Sequence, residues 1–319
     1  MRYLAPTLFL WCCAASVASG AETMHAVVFS DGSFQLQTVP KPVPQAGQVR
    51  IKVRAASVNP VDWKQAVRAA PGTRLIPGRD LSGVIDAVGD AAGPWKVGEP
   101  VIAIATGGSY AEYAIASVNA VAAKPRRLSF EEAAGMPVVG ETAWRALITI
   151  ANVKAGQRVL IHGGAGGVGS SAVQVAKARG AYVIATASPI HDEFLRSLEV
   201  DEVIDYHNAG FEERLRDFDV VLNTVDADTG ARSIAVVRPG GILVSVLGAA
   251  PTTQCEARIR CAVTGHATGE MLGPLSELAD QGKFRVHIER QFPLADAAKA
   301  LELNRQGHTG GKIILEVSR

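Results

Sequence analysis

The pattern of apolar and polar positions changes near Pro125. Before that residue, short apolar runs are separated by Gly, Pro and Asp, which is typical of a compact barrel-like or mixed β domain. The runs predict strands at Ala26–Phe29, Val49–Arg54, Gly83–Val88, Val101–Ala105 and Tyr110–Ile115. The Asn59-Pro60 pair inside this region is typical of a turn.

After Pro125 the pattern first predicts two helices, Phe130–Met136 and Gly140–Ile150, and then an alternation of strands and helices. Such alternation is typical of a parallel, doubly wound sheet. The predicted strands are Val159–Ile161, Tyr182–Ala187, Glu202–Ile204, Val220–Leu222 and Leu243–Val246, and the helices between them are Gly169–Arg179, Asp192–Leu198, Phe211–Arg216 and Thr229–Val237. Two further helices, Leu272–Gln281 and Ala295–Asn304, and a strand, Lys312–Val317, complete the chain.

These elements predict an α/β protein with two folded domains. Residues 24–128 form the β-rich domain, residues 129–265 form the doubly wound domain, and residues 266–319 return to the first domain. A length of 319 residues is sufficient for two ordinary domains.

Charge and composition exclude several classes of protein. The chain has 32 Lys and Arg against 31 Asp and Glu, a formal net charge of +1, so a nucleic-acid partner bound through a basic face is disfavoured. Hydrophobic residues make up 48% and charged residues 20%, close to globular averages, which indicates a folded chain rather than a disordered one.

Residues 1–21 differ from the rest of the chain. Arg2 is the only charge before Glu22, and the apolar run Leu4–Val17 is too short for a comfortable membrane span. Small residues follow at 18–21, so the segment resembles a secretory signal peptide. We expect export to the periplasm or the outside, with no integral membrane span after cleavage. The alternative is a cytoplasmic protein that begins at Met24.

The four cysteines are too few and wrongly spaced for a metal or disulfide scaffold. They form no CxxC pair and no ladder with histidines. Cys255 and Cys261 are six positions apart, so a bridge between them requires a break in regular structure. The sequence leaves this pairing open.

The strongest local motif follows the predicted strand Val159–Ile161. Gly164, Gly166 and Gly169 form a G-x-G-x-x-G turn that also contains Gly167 and Val168, and an amphipathic helix comes next. Such a turn brings a pyrophosphate against the free N–H groups of the helix, so the context predicts a dinucleotide site. The alternative is a glycine-rich turn without a ligand.

The end of the second strand of this unit indicates which nucleotide is preferred. Sites that prefer NAD carry an Asp or Glu there, whereas this strand runs into Ser188, which can donate to a phosphate. NADP is therefore favoured. No Lys or Arg lies between Ser188 and Glu193, so NAD stays open.

Several motifs together resemble the medium-chain dehydrogenase/reductase superfamily, in its zinc-independent quinone oxidoreductase branch. The motifs are Ala55–Lys64 (AASVNPVDWK), Ile76–Gly89, Lys96–Val101, Gly108–Tyr113, Met136–Trp144, the glycine turn and Gly310–Lys312. The resemblance implies a GroES-like catalytic domain, a Rossmann domain and hydride transfer from NADPH to a small-molecule quinone or conjugated carbonyl, with neither zinc nor flavin. Arg79-Asp80 stands where the zinc enzymes have a His-Glu pair, and a homodimer is expected from the resemblance alone.

The resemblance also implies the site residues. The expected catalytic residues are Asn59, Asp62 and Lys64, and the expected cofactor-binding residues are Thr142, Gly164, Gly166, Gly167, Val168, Gly169, Ser188, Tyr206, Leu247 and Lys312. Each has a plainer interpretation, such as a turn residue for Asn59 and Asp62, or a solvated side chain for Lys64 and Tyr206. Tyr110 is typical of a packing residue, and His162 of a turn histidine.

Two other functions fit the same sequence. The first is an alkenal or enoyl double-bond reductase on the same scaffold. The second is a non-catalytic, exported nucleotide-binding protein, suggested by export away from the cofactor pool.

Overall fold

The computed structural model describes residues 22–208, 210–246, 255, 258–307 and 309–318. The expected signal peptide, residues 1–21, and Leu247 of the expected cofactor site lie outside the described residues. The fold described below consists of two sheets that are covered by helices, together with one separate hairpin.

The strands in chain order are β1 (Thr23–Ser30), β2 (Ser33–Pro40), β3 (Gln48–Val58), β4 (Asp80–Val88), β5 (Pro100–Ile104), β6 (Tyr113–Ser117), β7 (Val121–Ala123), β8 (Arg158–His162), β9 (Tyr182–Ala187), β10 (Glu202–Asp205), β11 (Phe218–Asn223), β12 (Val237–Ser245), β13 (Arg260–Val263), β14 (Ile288–Pro293) and β15 (Lys312–Glu316). The helices are α1 (Pro60–Val67), α2 (Phe130–Ala134), α3 (Pro137–Trp144), α4 (Gly167–Ala178), α5 (Asp192–Arg196), α6 (Phe211–Arg214), α7 (Ala227–Ser233), α8 (Leu272–Asp280) and α9 (Ala297–Gln306).

The β-rich domain is built on a seven-stranded sheet in the order β14-β15-β3-β4-β5-β7, with β6 paired to β3. Val49, Ile51 and Val53 alternate along β3 and are fully buried, as expected for a strand with one face on a core. The C-terminal strand β15 pairs with the end of β3, where Ile313 lies opposite Val58. This pairing brings the C-terminal strand beside Asn59, the residue that precedes α1.

The second sheet has six strands in the order β10-β9-β8-β11-β12-β13, and all its pairs are parallel. This is the strand order of a doubly wound dinucleotide-binding sheet, in which ligands bind at the carboxyl ends of the strands. Its central strands β8, β9 and β11 are almost entirely buried and apolar, as is typical of a parallel sheet with helices on both faces. The prediction of a GroES-like domain with a Rossmann domain is confirmed.

The structure differs from the predicted elements in three respects. Helix α1 at residues 60–67 was not predicted; Asn59 caps it and Pro60 takes its first position, so the Asn-Pro pair begins a helix. The single helix predicted over Gly140–Ile150 is instead α3 followed by a π-helical turn at Arg145–Ile150. Strands β2, β7, β13 and β14 were not predicted. No side chain of β2, β13 or β14 is buried, and β7 has only three residues.

Cys255 and Cys261 form a disulfide, with their Cα atoms 6.1 Å apart. Cys261 lies on β13, and Cys255 precedes that strand outside regular structure. The break that the pairing requires is therefore present. Among the helices of the described residues, none combines the length and apolar character needed to cross a membrane.

Candidate active site

The segment that joins β3 to α1 carries two of the expected catalytic residues. Asn59 caps α1, and Pro60 takes the first helical position, where a missing N–H costs no hydrogen bond. The Asp62 carboxylate turns back and accepts a hydrogen bond from the backbone N–H of Asn59 at 2.8 Å. This bond fixes Asn59 and Asp62 relative to each other.

A buried polar network surrounds the Asn59 side chain. Its Nδ2 donates to Asp80 Oδ2 at 2.8 Å, and its Oδ1 accepts from Lys312 Nζ at 2.6 Å. Lys312 Nζ lies 3.8 Å from Asp80 Oδ2, and all three residues are at most 5% exposed. Both polar atoms of the Asn59 amide are hydrogen-bonded to protein side chains, which favours a role in positioning those side chains. Its direct contact with a substrate or with the cofactor stays a prediction.

The same network connects the two domains. Asp80 Oδ1 accepts from the backbone N–H of Val138 at 2.8 Å, at the start of α3, where the helix dipole favours a negative charge. The Lys312 side chain lies against the start of α4, because a Cβ atom on Gly167 would be 3.0 Å from Lys312 Cδ. The Asp80–Lys312 pair therefore positions both α3 and α4 against the β-rich domain.

Asp62 lies beside this network and is bonded to Tyr110, whose hydroxyl donates to Asp62 Oδ2 at 2.8 Å. Burial raises the pKa of Asp62 to about 7, although the hydrogen bonds from Asn59 and Tyr110 act in the opposite direction. Asp62 Oδ1, Ser57 Oγ and Ser109 Oγ are buried and have no hydrogen-bond partner among the described residues. The carboxyl group can hold or release a proton near neutral pH.

Lys64 does not join this network. It lies two positions beyond Asp62 on α1, so the two side chains are about 200° apart around the helix. Its Nζ is 5.3 Å from the centroid of the Trp63 ring, and its side chain is partly exposed. A catalytic role for Lys64 stays a prediction.

Helix α3 carries Thr142 and a buried acid that the sequence analysis missed. The Thr142 hydroxyl donates to the carbonyl oxygen of Val138 at 2.7 Å. Glu141 is fully buried and accepts from the backbone N–H groups of Thr268 and Gly269, which anchors the segment before α8. Glu141 is the only charged residue in the otherwise mostly apolar segment Pro137–Trp144, and this isolation could have indicated a buried, hydrogen-bonded acid.

The turn between β8 and α4 has the shape that its glycines require. A Cβ atom would lie 2.1 Å from Gly163 O at Gly169, and 2.7 Å from Ala185 Cβ at Gly164. At Gly166, the cap of α4, the nearest atom is 3.5 Å away. Gly164 and Gly169 are thus needed for the turn itself, whereas Gly166 leaves an open outer face. That face and the first N–H groups of α4 fit a pyrophosphate.

A cavity of about 870 Å³ runs along the carboxyl ends of β8, β9, β10 and β11. Three expected residues, Gly166, Ser188 and Tyr206, line it. Gly167 and Val168 are the first residues of α4 and are half-buried. The volume and the glycine turn fit the adenosine half of a dinucleotide. The structure therefore gathers one group of expected residues at this cavity and another, with Asn59, Asp62 and Lys312, in the buried network.

The rim of this cavity carries imidazoles rather than Lys or Arg next to Ser188. His191 and His207 both line it, and the His207 Nδ1 lies 2.8 Å from Asp205 Oδ1. The hydrogen bonds from the backbone and ring of His207 lower the pKa of Asp205. No carboxylate lies between Ser188 and His191, where an NAD-preferring site would place one.

His162 ends β8 and is buried below the same cavity. Its Nδ1 lies 3.2 Å from Thr186 Oγ1, and its Nε2 lies 3.1 Å from Ser233 Oγ. Burial lowers the pKa of His162 to about 4, so the ring is neutral near pH 7. Two hydroxyl partners on a neutral ring indicate a structural histidine.

Asp62 and His162 make opposite contributions to the pH dependence of stability. The pKa of Asp62 rises from 3.8 to about 7 on folding. Its contribution to the free energy of unfolding therefore falls as the pH rises from 3.8 to about 7. The pKa of His162 drops from 6.5 to about 4 on folding. Its contribution to the free energy of unfolding therefore falls as the pH decreases from 6.5 to about 4. The two effects oppose each other between pH 4 and 6.5.

We expect the stability of Asp62→Asn relative to the wild type to rise between pH 4 and pH 7 by roughly 2–4 kcal/mol in total. His162→Gln serves as the matched variant, and its stability relative to the wild type should grow as the pH falls. The measurement is urea unfolding at several pH values. A difference between Asp62→Asn and the wild type that does not vary with pH would contradict the assignment.

The surroundings of Asp80 carry positive charge. Asn59, Lys312 and Arg79 surround its carboxylate, two of them as cations. Within the described ranges, no three His, Cys, Asp or Glu side chains are grouped so that they could hold a metal ion.

Comparisons with known proteins agree with this architecture. Residues 45–126 match the family described as alcohol dehydrogenase GroES-like domain, and residues 198–315 match the family described as zinc-binding dehydrogenase. The chain is 36% identical to a 2-methylene-furan-3-one reductase of Solanum lycopersicum, covering 84% of this chain and 71% of the relative. It is 32% identical to the mitochondrial NAD(P)H oxidoreductase RTN4IP1 of Homo sapiens, covering 85% and 82%. The solved structure of the quinone oxidoreductase from Coxiella burnetii superposes with a TM-score of 0.83 at 33% identity, covering 93% of this chain and all of that one.

Proposed function

The chain belongs to the medium-chain dehydrogenase/reductase superfamily, in its quinone oxidoreductase branch, and from this premise we propose that it reduces quinones or conjugated carbonyls with NADPH and without zinc. It is an oxidoreductase of this family that uses a nicotinamide cofactor. The observation that carries the proposal is the open outer face of Gly166 at the head of a cavity of about 870 Å³.

The roles of the chain's own residues follow from their contacts. Gly166 and the start of α4 hold the pyrophosphate, and Ser188 and Tyr206 border the adenosine half. Asp80 and Lys312 position α3 and α4, and Asn59 is oriented between them. The chemistry that a bound nicotinamide supplies is a hydride for an electron-poor acceptor. Catalysis then consists largely of holding the two reactants together away from water.

Two finer points of the proposal have separate support. Zinc independence is supported by the cations Arg79 and Lys312 beside Asp80, because positive charges disfavour a metal ion there. Preference for NADPH is supported by Ser188 and the imidazoles of His191 and His207, without a carboxylate at the end of β9.

A conjugated double bond is the second candidate acceptor. It is favoured by the likeness to a 2-methylene-furan-3-one reductase, and it uses the same site. Relative rates on quinones and on alkenals separate the two acceptor classes.

The test is oxidation of NADPH and NADH by the purified protein with a panel of quinones, enones and alkenals, before and after dialysis against a zinc chelator. We expect turnover with NADPH that survives the chelator, and a kcat/KM for NADPH roughly tenfold above that for NADH. Failure to oxidise either nucleotide with any acceptor would sink the proposal. Tight nucleotide binding without turnover would instead support a non-catalytic binding protein.

We also propose that the protein is exported. The proposal is supported by the leader-like residues 1–21 and by the disulfide between Cys255 and Cys261, since such bonds persist in oxidising compartments. N-terminal sequencing of the native protein after fractionation tests it. A native chain that starts at Met24 in the cytoplasm would contradict it.

A further inference from the structure

A second cavity, of about 740 Å³, lies on the β-rich domain next to the buried network. Gly78 forms part of its wall, and Tyr110 packs directly behind, since a Cβ atom on Gly78 would be 2.3 Å from the Tyr110 ring. Gln65 of α1, the helix that carries Asp62, lines the cavity as well. The cavity and the polar network therefore share the segment 78–80 as a common wall.

The cavity also adjoins the cofactor half of the molecule. Arg79 lines it and donates from Nη2 to the carbonyl oxygen of Ala267 at 2.8 Å. The segment that contains Ala267 is anchored by Glu141 through Thr268 and Gly269, and Glu141 lies on α3. Arg79 thus links the β-rich domain to the segment 267–269. That segment is bonded to α3, the helix whose first turn Asp80 also contacts.

The charge at this cavity has one sign. Among the described residues that line it, the charged ones are Arg74 and Arg79, and none is Asp or Glu. Behind the wall, the carboxylate of Asp80 is paired with Lys312, and burial raises the pKa of Asp62 to about 7. Two arginines therefore line the cavity, and the buried carboxyl groups behind the wall have Lys312 as a partner of their own. The chain as a whole is nearly neutral, so this excess is local.

Each of these two arginines uses only its Nη2 in a hydrogen bond that the described residues accept. Arg74 uses Nη2 for Gln37 Oε1 at 2.8 Å, and Arg79 uses Nη2 for Ala267. A guanidinium has five N–H donors in a planar fork that matches a carboxylate or sulfonate. The remaining lining is apolar in part, with Val28, Leu75 and Ile76. The wall thus combines an apolar surface for a ring or an alkyl chain with a site for an anionic group.

We propose that this cavity binds the anionic group of the acceptor, so that the enzyme favours quinones or enones that carry a carboxylate or a sulfonate. This inference rests on the proposed function. Arg79, half-buried at the wall shared with the network, makes the principal contact, and Arg74, which is exposed, contributes less. The hydride transfer itself is unchanged: the acceptor takes one hydride and one proton, and NADPH becomes NADP⁺.

The test compares kcat/KM for acceptors that share a reacting group and differ in charge. One pair is ortho-naphthoquinone and its sulfonate, and the other is penten-2-one and oxopentenoate, in which a carboxylate replaces the terminal methyl group. The anionic-to-neutral ratio is measured in each variant, so that intrinsic differences in reactivity between acceptors cancel. We expect Arg79→Gln to lower this ratio roughly tenfold, and Arg74→Gln to lower it by a smaller factor.

Arg68→Gln is the matched control. Arg68 is an exposed arginine at the end of α1 that does not line the cavity, so its removal should leave the ratio as in the wild type. Arg74→Gln leaves the contact between Arg79 and Ala267 in place, so it separates anion binding from any shift of that segment.

The outcomes are distinct. An unchanged ratio in both Arg79→Gln and Arg74→Gln overturns the inference while the proposed function stands. An equal fall in Arg68→Gln also overturns it, because the effect is then long-range attraction rather than a site. Absence of turnover with every acceptor overturns both proposals.

Discussion

Replacing Lys312 by methionine is expected to lower the free energy of unfolding by about 3–5 kcal/mol, because it leaves a buried charge without its partner. Asp80 is fully buried, and Lys312 Nζ lies 3.8 Å from its Oδ2. The substitution also removes the donor to Asn59 Oδ1. Methionine keeps most of the aliphatic volume that lies against Gly167, so the loss measures the charge rather than packing.

Guanidinium unfolding followed by circular dichroism provides the measurement, and Lys299→Met is the control. Lys299 pairs with Asp296 at 2.8 Å but its side chain is 73% exposed, so that change should cost less than about 1 kcal/mol. Asp80→Asn combined with Lys312→Met should cost less than the sum of the two single changes, because the pair shares one interaction. A loss near that of Lys299→Met would show that the buried pair contributes little.

The doubly wound half could be predicted from the sequence because its signals are local. Its central strands are buried on both faces and read as continuous apolar runs, and the glycine turn marks where the first strand meets its helix. In the β-rich half, β2 and β14 escaped prediction because they are edge strands without a buried side chain, so few apolar residues mark them. The periodicity that identifies a strand exists only where one face is buried.

In the candidate site, too, some contacts follow from local sequence and others depend on how distant strands pair. The approach of Asp62 to Asn59 follows from their spacing at the start of a helix, which the Asn-Pro pair and the acid at the third position indicate. Recognition of that helix would also have directed Lys64 away from Asp62. The contacts of Asn59 with Asp80 and Lys312 depend instead on the pairing of β3 with β4 and with β15. No local pattern shows that residues 253 positions apart share a hydrogen bond.

The glycine turn gives the second large effect, and three substitutions to alanine separate folding from cofactor binding. At Gly169 the new Cβ atom would lie 2.1 Å from a backbone oxygen, so the turn cannot keep its shape. At Gly166 the backbone has φ −68° and the nearest atom is 3.5 Å away, so alanine fits the fold but covers the face at which we propose the pyrophosphate binds. Gly273 in α8 does not line the nucleotide cavity, and apart from its two chain neighbours no atom lies within 4 Å of its Cβ position, so it is the control for binding.

We expect Gly166→Ala to unfold like the wild type while its Kd for NADPH rises roughly 10- to 100-fold, the equivalent of one or two lost hydrogen bonds to a charged phosphate. Gly169→Ala should lose both stability and binding. Gly273→Ala should leave NADPH binding unchanged, whatever the contact of its new Cβ atom with the neighbouring Pro274 does to stability. Fluorescence titration with NADPH and thermal unfolding of each variant supply the two readouts. A methyl group at Gly166 would obstruct a ligand on the outer face of the turn without disturbing the protein. If Gly166→Ala bound NADPH as tightly as Gly273→Ala, that face would therefore not be the pyrophosphate site.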